Sequence, residues 1–313
     1  MGKKKCITPS EVPVLLIGFN RPEFIIARVY ELARMPIKKL YISLDGGNRE
    51  NNDEMKKAID WCTNELKDIE LFEIYQHEKN LGLVDHVTST ITNLLKRYSH
   101  LIVVEDDIVL AKNFFVNMIK GLDYQRETQK MGIVGGFSAT NLSKFKSVEN
   151  KWRESRYIVI WGWGCSAEVW DNYNPRLDEG SLDQKLNQSQ AWADLSTFQQ
   201  QVWKGRFRKT IVNPNFTWDI QLQYLSFTHD FINLYPRSTI TRNTGYSDFR
   251  STNTKNVKPN WMTLSEPDNR IISEKKSFLI TNKFHDVIDA NLLLSDTKII
   301  NWWKHKKNYR IPF

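Results

Sequence analysis

Apolar runs and stretches of helical spacing alternate through the first third of the chain. Val12–Phe19 is almost wholly apolar and reads as a buried strand, closed by Asn20-Arg21-Pro22. Pro22 suits the first turn of a helix over Glu23–Met35, and Pro36 stops it. Leu40–Leu44 reads as a second strand ending at the turn Asp45-Gly46-Gly47, Asn51–Lys67 as a helix, and Leu71–Gln76 as a third strand. Val84, Val87, Ile91, Leu94 and Leu95 share one face of a helix. Leu101–Val104 forms a fourth strand that stops at three acids, Glu105-Asp106-Asp107.

Strands that are apolar along their whole length and alternate with helices predict an α/β fold, with a mostly parallel central sheet flanked by helices. Ligands bind such sheets outside the carboxyl ends of the strands. That points to the loops Gly18–Pro22, Asp45–Asn48 and Glu105–Asp107. The second half is richer in Trp, Tyr and Asn, and short strands are expected at Gly132–Gly136, Tyr157–Trp161 and Ile211–Asn213. No repeat or long linker separates the halves, so they are expected to share one sheet.

The bulk numbers narrow the function. A chain of 313 residues, 41% hydrophobic and 26% charged, has ample material for one large core. Its net charge of +8 and pI near 9.2 suit an anionic partner. The basic residues are scattered and carry no nucleic-acid fingerprint, so no nucleic acid is expected. Cys6, Cys62 and Cys165 lie far apart in no ligand spacing, which argues against disulfides and zinc. The apolar stretch after Met1-Gly2-Lys3-Lys4-Lys5 is short and lacks a cleavage site, so a cytoplasmic location is expected.

The acidic triplet is the sharpest chemical signal. Three adjacent carboxylates at the mouth of an apolar strand repel one another where the dielectric is reduced. A divalent cation relieves that, and oxygen donors without nearby His or Cys favour Mg²⁺ or Mn²⁺. Strand alternation sets Glu105 and Asp107 on one side and Asp106 on the other. The plain alternative is a solvated acidic turn capping a helix from Lys112.

The stretch Val103-Val104-Glu105-Asp106-Asp107-Ile108-Val109-Leu110-Ala111-Lys112-Asn113-Phe114-Phe115 resembles the corresponding segment of the N-acetylglucosaminyltransferase I family, with relatives among bacterial cell-surface polysaccharide transferases. Val14–Arg21 resembles the family's first strand and Ile42–Asp45 its second. Trp161-Gly162-Trp163-Gly164 with Ala167-Glu168-Val169-Trp170 resembles its Trp- and Gly-rich run, and Thr217-Trp218-Asp219 its Trp-Asp-Asp, here with a single Asp after the Trp. The resemblance implies a GT-A (Rossmann-like) transferase fold and a metal-dependent glycosyltransferase, with residues 12–290 as one catalytic domain. Residues 12–120 would be the nucleotide-sugar half and 121–290 the acceptor half. It implies that Asn20 and Arg21 hold the nucleotide, Asp45 reads uracil, and Asp107 binds Mn²⁺ or Mg²⁺. Asp106 would meet the ribose or sugar, Glu105 the donor sugar's hydroxyls, and Asp219 would be the catalytic base. The implied partners are a UDP-sugar donor and a saccharide or lipid-linked saccharide acceptor. The animal members carry an N-terminal membrane anchor, which this sequence lacks, implying a bacterial enzyme.

The residues leave alternatives open. An Arg at the start of a helix pairs well with phosphate, but Arg21 also suits a surface beside a proline turn. Asp45 serves a base N–H or only a turn. One carboxylate at Asp219 suits direct, inverting displacement, or it caps a helix over Ile220–Leu225. Trp161 and Trp163 form a wall for a sugar, Trp163 the better contact, or they lie in the core. Tyr246, Asp248 and Arg250 occupy a loop from which Arg242 or Arg250 closes over a diphosphate. The basic aromatic tail 291–313 is either a peripheral contact with anionic membrane, on the cytoplasmic face of the inner membrane, or a packed helix. Two further functions compete: a non-catalytic carbohydrate-binding protein, and a retaining transferase on the same fold.

Overall fold

A computed structural model describes residues 6–47, 52–66, 69–138, 151–248, 250, 266–272 and 289–290. The 291–313 tail lies outside the described residues. The first half follows the predicted alternation closely. Strand β1 (Val14–Gly18) leads into helix α1 (Pro22–Leu32), with Pro22 at its start and Glu23 in its first turn. Then come β2 (Lys39–Leu44), α2 (Asn52–Glu65), β3 (Leu71–Gln76), α3 (Leu83–Leu95) and β4 (His100–Glu105). A short strand β5 (Ile108–Leu110) precedes α4 (Phe114–Thr128), which ends at Gln129 in the left-handed region, φ 55°.

The second half supplies β6 (Val134–Gly135), β7 (Trp152–Ser155), β8 (Trp163–Ser166) and α5 (Ala167–Trp170). A helical group follows: α6 (Glu179–Asn187), α7 (Gln190–Ala193), α8 (Thr197–Val212) and α9 (Asp219–Thr228). Asp178 caps α6, Ser189 caps α7, and Ser196 with Gln199 forms a capping box on α8. Strands β9 (Asn233–Pro236) and β10 (Thr241–Asn243) complete the described chain order.

Eight strands from both halves form one sheet in the order β3-β2-β1-β4-β8-β6-β9-β7. Pairs β3-β2-β1-β4 are parallel, β8 runs against β4, and four of the seven pairings in the sheet are parallel. Strand side chains alternate between two faces. Val14, Leu16, Ile102 and Val104 pack on the face with Ile25, Val29 and Leu32 of α1 and Phe114, Phe115 and Met118 of α4. Leu15, Ile17, Leu101 and Val103 pack on the other with Val87, Ile91 and Leu94 of α3, Trp163, Trp170 and Trp218. A third cluster lies within α6–α9, around Trp192, Trp203, Phe207 and Phe227.

Two expected strands are corrected. Across Tyr157–Trp161 the described amide bonds go to side chains: Tyr157 N–H to Ser155 Oγ (3.1 Å), Ile158 N–H to Gln223 Oε1 (2.7 Å) and Val159 N–H to Tyr235 Oη (2.9 Å). The run is apolar because it packs buried or half-buried against the core, not because it pairs in a ladder. Ile211 belongs to the last turn of α8, and Asn213 N–H closes that turn on Lys209 O (2.9 Å).

Buried His86 ties α3 to the sheet through Ser43 Oγ, 2.8 Å from Nε2. Burial lowers its pKa from 6.5 to about 4. Below the unfolded pKa the unfolded chain takes up a proton that the native ring refuses. The associated stability is therefore present above 6.5 and lost as pH falls toward 4. His86→Gln should show an acid loss smaller than the parent's by roughly 2–3 kcal/mol, read from urea unfolding at pH 7 and pH 4.5. Parallel losses in the two proteins would remove His86 from the account.

Candidate active site

The sheet order changes direction beside β1. The chain runs outward to β2 and β3, then returns to place β4 on the other side of β1, with Ile17 opposite Glu105. The crevice at the carboxyl ends of such a strand pair is where open α/β sheets bind ligands. Here it joins Asn20-Arg21 after β1 to Glu105-Asp106-Asp107 after β4, anchored by Asp106 N–H to Ile17 O (3.0 Å).

The triplet is not arranged as strand alternation predicts. Strand β4 ends at Glu105, and Asp106 and Asp107 form a turn, so the period of two stops. One guanidinium serves both aspartates: Arg21 Nε reaches Asp106 Oδ2 (3.2 Å), and Nη2 reaches Asp106 Oδ1 and Asp107 Oδ2, the latter at 3.2 Å. Asp106 therefore gives both its oxygens to Arg21. Glu105 continues the Leu101–Val103 face, toward α9, and the Asp219 charge helps to raise its pKa.

Burial dominates the electrostatics. It pushes the Glu105 carboxyl well above the ordinary range, with Asp107, Asp106 and Asp219 adding to the rise and Arg21 opposing it. Burial pushes Asp106 up to about 7 against the pull of Arg21, and raises Asp107 as well. A second buried guanidinium, Arg28 on α1, donates to Ile108 O (2.9 Å) and pairs with Glu31 (2.6 Å), which accepts from Leu110 N–H (2.9 Å). These bonds fasten β5, and with it the turn before it, to α1. Arg28 carries a signal that the sequence reading passed over: it falls at helical spacing among the apolar Ile25, Val29 and Leu32.

The donor set fits a hard divalent cation. Glu105 Oε1 and Asp107 Oδ1 are buried oxygens without a hydrogen-bond partner among the described residues, open to a cation or to a donated hydrogen bond. The triplet is not a closed cage. Among the described residues, the carboxylate and thiol cluster whose ligand atoms lie within 4.8 Å of one another is Cys6, Asp123 and Glu127, away from this crevice. A cation at the triplet would need further oxygens from a substrate, as Mg²⁺ sites built on one or two carboxylates and phosphates do.

Residues 241–248 cover the triplet, and the roles of Thr244 and Gly245 there were not foreseen. Strand β10 pairs antiparallel with β5, with Arg242 opposite Val109. Thr244 donates twice to Asp107 O, from its N–H and its Oγ1, each at 2.9 Å. A Cβ on Gly245 would clash with Asp107 Oδ2 at 2.2 Å. Arg250 pairs with Glu23 and with Asp248 (2.7 Å), and Arg21 and Arg250 both lie over Phe24, 5.0 and 5.9 Å from its ring centre. Arg242 pairs with Glu266. Both candidate lid arginines thus have carboxylate partners.

The Trp-rich segment acts from below. Trp163 is fully buried, its ring centre 5.7 Å from Trp218 and 6.0 Å from Trp170, so it packs in the core. Tyr173 stacks on Trp170 at 4.2 Å and donates to Trp218 O (2.9 Å). This stack seats the start of α9, where Asp219 Oδ1 accepts from Thr217 Oγ1 and from Ile220 N–H (3.0 Å). Asp219 is the first residue of the helix rather than its cap, which is Trp218. Trp161 is half-buried, between Phe137 (4.5 Å) and Tyr246 (6.1 Å). Gly162, at φ 69°, lets this turn lie against Thr241 and Phe114, which a Cβ would meet at 2.9 and 3.1 Å.

Asp45 takes a chain-holding role at the end of β2. Its Oδ1 accepts from Gly46 N–H (2.9 Å) and Leu81 N–H (2.8 Å), and its Oδ2 from Gly82 N–H (3.0 Å). Asn20 is half-buried in the loop beside Arg21.

No protein-family model matches the chain, and no curated protein matches it. Solved structures similar to it include a mannosyltransferase, PcManGT from Pyrobaculum calidifontis in complex with GDP-Man and Mn²⁺. That pair has TM-score 0.41 and 10% identity over 72% of this chain and 77% of that one. S. aureus TarS gives 0.31 and 15% over 40% and 21%, and a UDP-glucose pyrophosphorylase complexed with UDP-glucose gives 0.31 and 10% over 51% and 78%. Among the described residues, no helix is long and apolar enough to cross a membrane.

Gly245→Ala should push Asp107 from its seat without touching the core. The expected result is about tenfold weaker Mn²⁺ uptake in the presence of UDP, by calorimetry, since displaced supporting contacts typically cost 10- to 100-fold in metal affinity. Unaltered uptake would separate residues 241–248 from the function of the triplet.

Proposed function

We propose that this chain is a metal-dependent GT-A glycosyltransferase that moves a sugar from a nucleotide-sugar donor, a UDP-sugar, to a saccharide or lipid-linked saccharide acceptor. One observation carries the reading: two buried, unpartnered carboxylate oxygens, on Glu105 and Asp107, at the crevice where β1 and β4 part company. The motif resemblance of residues 103–115 and 217–219 supports it, and residues 12–290 form the catalytic unit in this reading.

Asp107 offers Oδ1 to Mn²⁺ or Mg²⁺. A divalent cation there supplies charge stabilisation for a departing nucleoside diphosphate. Arg21 keeps Nη1, a buried nitrogen without a partner among the described residues, for a phosphate oxygen, and the N-terminus of α1 beside it favours the same charge. Asn20 lies next to that phosphate position, and Asp45 stands at the end of the neighbouring strand, on the side of the base. Glu105 accepts from donor sugar hydroxyls. Asp219 takes the proton of the acceptor hydroxyl as its oxygen attacks the anomeric carbon, and one such base with direct displacement inverts configuration. Trp163 has no contact role in this reading, which weakens the alternative of a carbohydrate-binding surface built on it.

Thermal shifts with UDP-, GDP- and dTDP-sugars, each with and without Mn²⁺, test the donor assignment. A UDP-sugar should stabilise the parent only with the metal, and Asp107→Ala should lose that increment. Metal-dependent stabilisation retained by Asp107→Ala would dispose of the ligand assignment. Asp219→Asn should bind donor normally yet lose turnover by on the order of 10²- to 10⁴-fold. Turnover at the parent's rate would return Asp219 to a purely helix-terminal role.

A further inference from the structure

Arg21 divides the triplet unequally. Both Asp106 oxygens and Asp107 Oδ2 receive its N–H groups, while Asp107 Oδ1 and Glu105 Oε1 receive none among the described residues. A second wall closes the same side of Asp107, because Gly245 lies against Oδ2 so tightly that a Cβ would come within 2.2 Å of it. Asp107 is thus held by one oxygen from two directions and left open at the other.

We propose that Arg21 is a positioning residue that sets how many carboxylate oxygens the cation site presents, and thereby which hard cation it takes. The proposal rests on the cation site argued above and adds its selectivity. With both Asp106 oxygens withheld and Asp107 limited to Oδ1, neither aspartate offers a chelating carboxylate. That suits Mn²⁺ and Mg²⁺, which take six ligands near octahedral geometry and keep places for phosphate and water. It disfavours Ca²⁺, which takes six to eight oxygens and readily accepts both oxygens of one carboxylate. The guanidinium is suited to the task because its planar fork reaches two carboxylates at once, which a lysine ammonium on a flexible stem does not reproduce.

Calorimetric titration of Mn²⁺ and of Ca²⁺, each with UDP present as the probe, reads the preference without any turnover. The parent should favour Mn²⁺. Arg21→Gln frees Asp106 and Asp107 Oδ2, and the preference should fall by about tenfold or more, chiefly through tighter Ca²⁺ uptake. Arg21→Lys, which keeps the charge and preserves the fold if the neutral variant does not, should also lose most of the preference. A Mn²⁺ to Ca²⁺ ratio within about twofold of the parent's in Arg21→Lys overturns the role of Arg21 and leaves the transferase reading standing. A parent that takes up neither cation with UDP overturns both.

Discussion

Three consecutive carboxylates end a strand whose preceding four residues are completely buried, and the rest of the molecule is organised around that fact. Charges in such a place are costly unless something compensates them. Two guanidiniums do so in part, Arg21 by direct contact from the cap of the helix that follows β1, and Arg28 from that helix's middle, beneath the turn. Because β4 pairs with β1 in parallel, that helix start and the triplet share one end of the sheet. The compensation remains incomplete: burial still raises all three acids, and two oxygens stay without partners among the described residues. A site of this kind gains most from a divalent cation and an anionic partner that arrives with it.

The second half of the chain serves the same end from two sides. An aromatic stack of Trp163, Trp170, Trp218 and Tyr173 presses β8 and α9 together, so that Asp219 emerges on the Glu105 side of the sheet. The Trp161-Gly162 turn lies against Thr241, and β10 then carries Thr244 and Gly245 onto Asp107. The Trp-Gly-Trp-Gly segment therefore acts through packing: its first Trp lies between Phe137 and Tyr246, its first Gly admits the covering segment, and its second Trp sits in the core. Asp219 is reached by a helix rather than a loop, which suits a group whose direction matters more than its mobility.

Sequence and structure agree best where the signals are local. The strands of the first half are continuous apolar runs closed by Pro, Gly or acidic turns, and each such run is found as a strand within two residues at either end. Tyr157–Trp161 has the same apolar signature but pairs with the side chains of Gln223 and Tyr235. Burial alone was legible there, and the identity of the hydrogen-bond partners was not. The burial of Trp163 was hidden for a related reason: an aromatic residue between glycines looks the same in sequence whether its ring faces a ligand or another tryptophan. The single Arg28 on an apolar helix face was readable and was missed.

By itself the sequence determined the parallel strand-helix units, the place of Glu105-Asp106-Asp107 at the end of the fourth strand, and the nearness of Arg21 to that end. These follow from periodicity and from the rule that parallel strands bring their carboxyl ends together. Only the tertiary structure decided that Arg21 takes Asp106 and one oxygen of Asp107, that Asp45 holds a loop, and that Gly245 shields the triplet. Those outcomes depend on contacts between residues tens to well over a hundred positions apart in the chain. Which oxygen of a carboxylate stays open is fixed by the packing of neighbours that leave no local mark on the sequence.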